Sequence, residues 1–420
     1  MRVLLLLFCL LISGPLHASA NNGGGHLVII GGALAPDNSD IYTEIIRLGG
    51  GTKDCRIVIL AAASATPTTS GNAYRDDFLS FGVAPERVAL LPLALLDDPQ
   101  TQPLNESTWA KNHDDPATIT RIDQASVAFL AGGDQGRYAR LLTSRHGKDT
   151  LLLQALRRLL QRGGVIAGTS AGAAVMSDPM ITGGDSLDSL IPEQRPGSGN
   201  PVTLDRGLGF WRGGLVDQHF IRRGRWGRLL AALERSPHQT IGLGVSENTA
   251  AFIHGNNLSA MGSGAVVLID KKKSVRISQS PLHVKGFRLY YLQHGDKIDL
   301  RTLQVTSAKQ RALVSNPVAE SPPPQRTPMA GAFDPYGLMR LLEEHLAGFR
   351  RRQAQALAWD GSDNASGPGI ELTLSIIDST RVFHQQQSGK DTWTFQEISL
   401  DIIPVTVNVH PRQNEKVKEK

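Results

Sequence analysis

Cysteine is almost missing from this sequence: its 420 residues hold two, Cys9 and Cys55. A disulfide scaffold or a cysteine-held zinc site needs more, so both are excluded. Aromatic residues amount to only 5%, which speaks against nucleic-acid binding, where rings interleave with a basic stripe. The positive excess is small, +5. Its densest runs, Lys271-Lys272-Lys273 and the tail from Lys416 to Lys420, read as solvated surface. No H-E-x-x-H, Walker A or helix-opening dinucleotide fingerprint occurs, so neither metal nor cofactor is expected. After residues 3–12, no stretch is apolar enough to cross a membrane.

The first twenty residues stand apart. Met1-Arg2 is positive, Val3 to Ile12 is apolar throughout, and Ser13-Gly14-Pro15 breaks the run before Ala18-Ser19-Ala20. That order is a secretory signal peptide, residues 1–20, with a small-x-small cleavage site. It implies export to the exterior or the periplasm, and no membrane attachment after cleavage. Processing removes Cys9 and leaves Cys55 alone, so stability must come from core burial. A chain of about 400 residues is ample for one large domain and something smaller.

From His26 to about Ile269, short apolar runs alternate with helical patterns. Leu27 to Ile30, Arg56 to Leu60, Arg87 to Leu91, Ser126 to Leu130 and Val165 to Ala167 read as strands. Ile41 to Leu48 and Leu151 to Leu160 have helical spacing. Continuous rather than alternating apolar runs predict a mostly parallel α/β sheet with helices on both faces. Functional groups of such sheets collect at the carboxyl ends of the strands. Arg288 to Leu292 reads as a late strand. The expected organisation is a catalytic domain over 21–315, a proline-rich linker over 316–335 around Ser321-Pro322-Pro323-Pro324, and a small β-rich α+β extension over 336–420. In that extension Leu338 to Leu346 suits a helix. Ile370 to Ile376 and Val405 to Val409 alternate as half-buried strands, and no catalytic cluster is evident.

Gly168-Thr169-Ser170-Ala171-Gly172 lies where a buried strand passes into a helical stretch. A serine is nucleophilic only when it is exposed, has a base beside it and faces donors for the oxyanion. The glycines let strand and helix approach around a strained turn that presents the hydroxyl. The alternative is a small-residue turn kept for packing. A second glycine turn, Gly132-Gly133-Asp134-Gln135, could bring the Gly133 N–H beside that of Ala171 as an oxyanion hole. Taken alone it is an ordinary βα loop.

His219 ends the apolar segment Leu215-Val216 and is the candidate base, with His254 its rival on pattern. Glu247, after the strand Ile241 to Val245, is the candidate acid. The order serine, histidine, acid differs from the serine, acid, histidine of α/β-hydrolases. Arg222, Arg223, Arg225 and Arg228 crowd the residues after His219. They read either as a clamp for substrate carboxylates or as a charged helix face.

Residues 168–176, Asp217-Gln218-His219-Phe220 with its arginines, and 244–250 together resemble the cyanophycinases, relatives of the aspartyl dipeptidases on a class I glutamine amidotransferase-like, flavodoxin-like fold. With the signal peptide, the resemblance is to the extracellular type, and it covers about residues 26 to 270. It implies that Ser170 is the nucleophile, His219 the base and Glu247 its partner. Gln135, Asp217, Gln218, Arg223, Arg225, Arg228 and Asn248 are then implied to line the substrate site. The implied substrate and partner is cyanophycin, poly-aspartate carrying arginine on each β-carboxyl and released as β-Asp-Arg dipeptides. Ser246 stands where many relatives have an acidic residue. Two other functions fit the same scaffold: a dipeptidase or isoaspartyl peptidase acting on small peptides, and a non-catalytic polymer-binding protein. The oligomeric state is open, a homodimer included.

Overall fold

The computed structural model describes residues 24–144, 148–192, 199–279, 281–322, 327–360, 366–387 and 389–408. The expected signal peptide lies outside them. Two large sheets carry the fold. In the first, nine strands run in the order 305–306, 297–299, 257–262, 249–254, 26–30, 165–169, 127–130, 57–60, 88–90. The five from 26–30 to 88–90 are parallel, as their unbroken apolar runs predict. The remaining four are antiparallel, so the sheet is mixed, which corrects the expectation of a mostly parallel one. Strands 249–254 and 257–262 are joined by two residues only, a hairpin length that forces antiparallel pairing.

The parallel strands 26–30, 57–60, 127–130 and 165–169 send alternate side chains into two cores. Leu27, Ile29, Val58, Leu60 and Leu130 meet the helix Leu151–Gln161 through Leu152, Leu156 and Leu159. Val28, Ile30, Ile57, Ile59 and Phe129 meet the helices Ser39–Leu48 and Pro67–Ser80 through Ile41, Tyr42, Ile45 and Phe78. Helices thus cover both faces, as expected. Two of them start on side-chain caps, Asn38 accepting from the Ile41 N–H and Thr150 from the Leu153 N–H.

The second sheet is mostly antiparallel. Its main path is 329–330, 353–359, 367–375, 390–407, 282–292, 266–270, 241–245, 215–218. The path runs without a break from the strands before His219 and Glu247 into the residues beyond the linker. Strand 390–407 lies between 282–292 and 367–375, placing Leu400 opposite both Phe287 and Leu374. The extension is β-rich as expected, but it completes this sheet instead of standing apart at residue 315. One core joins Leu229, Leu233 and Phe287 to Leu341, Leu372 and Leu400. The linker is also tied down within its described part: Ala332 is buried, its carbonyl accepts from the Trp226 indole N–H at 2.9 Å, and Phe333 packs edge-on against Trp226. Among the described residues no helix is long and apolar enough to cross a membrane.

Candidate active site

The parallel pairs 165–169 with 26–30, and 215–218 with 241–245, point their carboxyl ends at one place. Strand 165–169 is buried throughout and ends at Ser170, whose backbone turns to φ 54°, ψ −112°. That left-handed conformation is costly for serine and lifts the side chain out of the strand's course. Space explains the glycines: a Cβ on Gly168 would stand 2.3 Å from the Gly172 carbonyl oxygen, and one on Gly172 would stand 2.2 Å from that of Leu130. The helix that follows is a single turn, Ala171–Ala174.

His219 leaves strand 215–218 at φ 49° and is 7% exposed. Its Nε2 lies 2.9 Å from Ser170 Oγ, and its Nδ1 lies 2.6 Å from Glu247 Oε1. The three candidates are therefore brought into one hydrogen-bonded line. Burial lowers the His219 pKa; the Glu247 carboxylate partly offsets this, while Arg223 and Arg225 add to the lowering. The imidazole is thus held neutral at pH 7, with Nδ1–H donating to Glu247 and Nε2 free to accept from the serine. The rival, His254, stacks on His26 and pairs with the Gly25 carbonyl at the opposite end of the sheet, where strand 26–30 begins.

Gly133 is exposed, and the loop carrying it passes beside the serine: a Cβ on Gly132 would lie 3.3 Å from Ser170 Cβ. Among the described residues neither the Gly133 nor the Ala171 N–H donates a hydrogen bond, which leaves both for a ligand. Gln135 spends its amide nitrogen on the Ile181 and Thr182 carbonyls, so only its oxygen is left to face a substrate.

The residues around His219 divide differently from expectation. Asp217 and Arg228 are 1% and 5% exposed and grip each other through two hydrogen bonds, the nearer at 2.5 Å. Arg228 also donates to the Gly184 carbonyl. A pair so buried and so fully used has nothing left for a substrate, which corrects the clamp reading for Arg228 and the substrate-lining role implied for Asp217. Arg225 donates to the Gln218 carbonyl at 2.8 Å, and burial pulls its pKa down to about 10. Arg223 is exposed and pairs with no carboxylate among the described residues. Gln218 is buried, yet its Oε1 has no hydrogen-bond partner. Asn248 is a brace: its Oδ1 accepts from the Ala35 N–H and from Asn38, and its N–H donates to the Gly32 carbonyl.

One hub escaped the sequence reading. The end of strand 26–30 accepts from all three loops: Ile30 from the Ser170 N–H, Gly31 from the His219 N–H at 2.6 Å, and Gly32 from the Asn248 N–H. A Cβ on Gly32 would lie 2.3 Å from His219 Nε2. The visible sign was a glycine pair ending a strand, which reads as a turn unless its neighbours are known. Among the described residues no group of three or more His, Cys, Asp or Glu is placed to hold a metal.

Residues 103–261 match the model of peptidase family S51. The chain is 31% identical over 304 residues to a cyanophycinase of Synechococcus elongatus, covering 69% of this chain and 85% of that one. It is 31% identical over 287 residues to the cyanophycinase of Geminocystis herdmanii, covering 66% and 94%. With that of Trichormus variabilis the identity is 30% over 296 residues, covering 68% and 89%.

Proposed function

Since the chain belongs to the cyanophycinase family of S51 peptidases, we propose that it is an exported serine peptidase that hydrolyses cyanophycin to β-Asp-Arg dipeptides through an acyl-enzyme on Ser170. The observation that carries this reading is the unbroken line from Ser170 Oγ through His219 to Glu247, at 2.9 and 2.6 Å. The fold it rests on is the class I glutamine amidotransferase-like arrangement. Export rests on the character of residues 1–20.

His219 Nε2 takes the Ser170 proton as Oγ attacks a backbone aspartyl carbonyl. Glu247 fixes the tautomer and stabilises the imidazolium that forms. The Gly133 and Ala171 N–H groups receive the developing oxyanion, and losing one such donor costs about 10²–10³ in rate. The imidazolium then protonates the leaving amine, and the C–N bond breaks to leave an ester on Ser170. Water, deprotonated by His219, attacks that ester and releases the acid. Arg223, unpaired at the mouth, suits the free α-carboxylates that the pendant arginines keep. The orphaned Gln218 oxygen suits an N–H of the substrate.

Mass analysis of purified cyanophycin after incubation tests this. β-Asp-Arg is expected with the wild type and none with Ser170→Ala. Turnover of small β-aspartyl peptides without release from the polymer would make the chain a dipeptidase. Unchanged turnover in Ser170→Ala would remove the serine mechanism.

A further inference from the structure

The proposed reaction leaves a cavity of about 330 Å³ without a task. Glu247 and Asn248 line one side of it; Tyr336, Glu343 and Lys390, all from beyond the linker, line the other. That second wall lies outside residues 103–261, which match the family model.

The wall is tied to the loop that carries the base. Tyr336 donates its N–H to the Ile221 carbonyl, and its hydroxyl accepts from Arg222 Nη1 at 3.1 Å. The Arg222 guanidinium lies over its ring, 5.5 Å from the centroid. Tyr336 does this at φ 64°, an unfavourable backbone for a bulky residue. Glu343 lies in Leu341–Gly348, which winds as a π-helix, a rare form that recurs at functional sites. Its Oε1 accepts from the Tyr291 hydroxyl at 2.8 Å and from Gln293 at 2.9 Å. Its other oxygen has no hydrogen-bond partner among the described residues. Burial raises its pKa, the two donors and Lys390 only partly offsetting that, so an added cation would favour the ionised form.

A fixed, half-buried carboxylate with one open oxygen inside, and an exposed arginine at the mouth, match the two ends of an arginine that keeps its α-carboxylate. We infer that this cavity is a subsite for the pendant arginine of a polymer unit next to the one being cleaved, with Glu343 taking the guanidinium and Arg222 the α-carboxylate. The cavity lies on the Glu247 side of His219, away from Ser170, so its occupant belongs to a neighbouring unit. The inference rests on the polymer reading above, and it gives the residues beyond the linker a part in recognition.

The test is equilibrium binding to the inactive Ser170→Ala protein of two trimers, one of β-Asp-Arg units and one with citrulline, neutral and of the same shape, in place of arginine. An arginine preference of about tenfold or more is expected from one charge-assisted pair. Adding Glu343→Gln should abolish most of that preference and leave citrulline binding unchanged. Arg222→Gln, at an exposed position, should weaken both trimers alike, and should have no effect once their α-carboxylates are amidated. A preference that survives Glu343→Gln, or an equal loss for both trimers in that variant, overturns the subsite. Failure of the polymer reading shows separately, as wild-type digests without β-Asp-Arg; an arginine preference set by Glu343 in such a protein would leave the subsite standing.

Discussion

Ser170 leaves a strand buried on both faces between parallel neighbours, whereas His219 and Glu247 leave a mostly antiparallel sheet that is completed by residues beyond the linker. The Ser170 side is a layer of short apolar strands, and strand 165–169 pairs with 26–30 from more than a hundred residues earlier in the chain. The His219 side combines a pairing between near neighbours in the chain, Leu215 with Gly242, with one across more than a hundred residues, Leu289 with Ile398. Two backbone hydrogen bonds at the end of strand 26–30, from the His219 and Asn248 N–H groups, tie the loops of the second sheet to the first, beside the one from Ser170 within the first sheet. Ser170 and His219 are therefore positioned by two different sheets, and small errors in docking fall directly on the 2.9 Å contact.

Four changes probe that division, in falling order of effect. Ser170→Ala should lower release of β-Asp-Arg by about 10⁵-fold or more while leaving thermal unfolding in place. A loss in proportion to lost structure would mean that Ser170 serves the fold and not the chemistry. Gly32→Ala puts a methyl 2.3 Å from His219 Nε2 at φ 100°. It should cut kcat/KM by about 10²–10³ through misplacement of the imidazole, measured on protein with an unchanged circular dichroism spectrum. Full activity there would show that the two sides are not held by the strand 26–30 hub. Leu400→Ala, far along the second sheet at 0% exposure, should cost about 2–5 kcal/mol. Unfolding followed by activity and by circular dichroism should still coincide, since core and site share one sheet. Separate transitions would restore an independent extension. The smallest effect concerns protons. With its pKa lowered below 6.5 by burial and by Arg223 and Arg225, His219 stays neutral down to lower pH than a free histidine. Activity is then kept at neutral pH and lost as pH falls through that lowered value. Arg223→Gln removes one of the cations and should move the acid limb of kcat/KM upward. A limb that moves downward would contradict the sign.

The parallel strands were legible because burial on both faces writes itself as a continuous apolar run: 57–60, 127–130 and 165–169 lie where the runs predict. The helices 39–48 and 151–161 were legible from their spacing. In the extension, alternation located strand 367–375 but could not say what covers its inner face. Alternation reports that one face is buried and is silent about the partner, so a completed sheet looked like a separate domain. That Ser170, His219 and Glu247 come together could be anticipated because each follows the end of a strand. The fates of Asp217 and Arg228 could not, since a buried ion pair and an open clamp have the same sequence. Gly31-Gly32 was silent for a related reason: what a glycine makes room for lies elsewhere in the chain.

The left-handed residues Ser170, His219 and Asn248 all hydrogen-bond to the end of strand 26–30. None of those conformations is favoured by a free chain, and each depends on the loops being docked together. A molecule that has formed only its first sheet therefore carries an unactivated hydroxyl and no base. The line from Ser170 to Glu247 exists only where both sheets are docked together, so an assay of the proposed reaction would count only completed molecules.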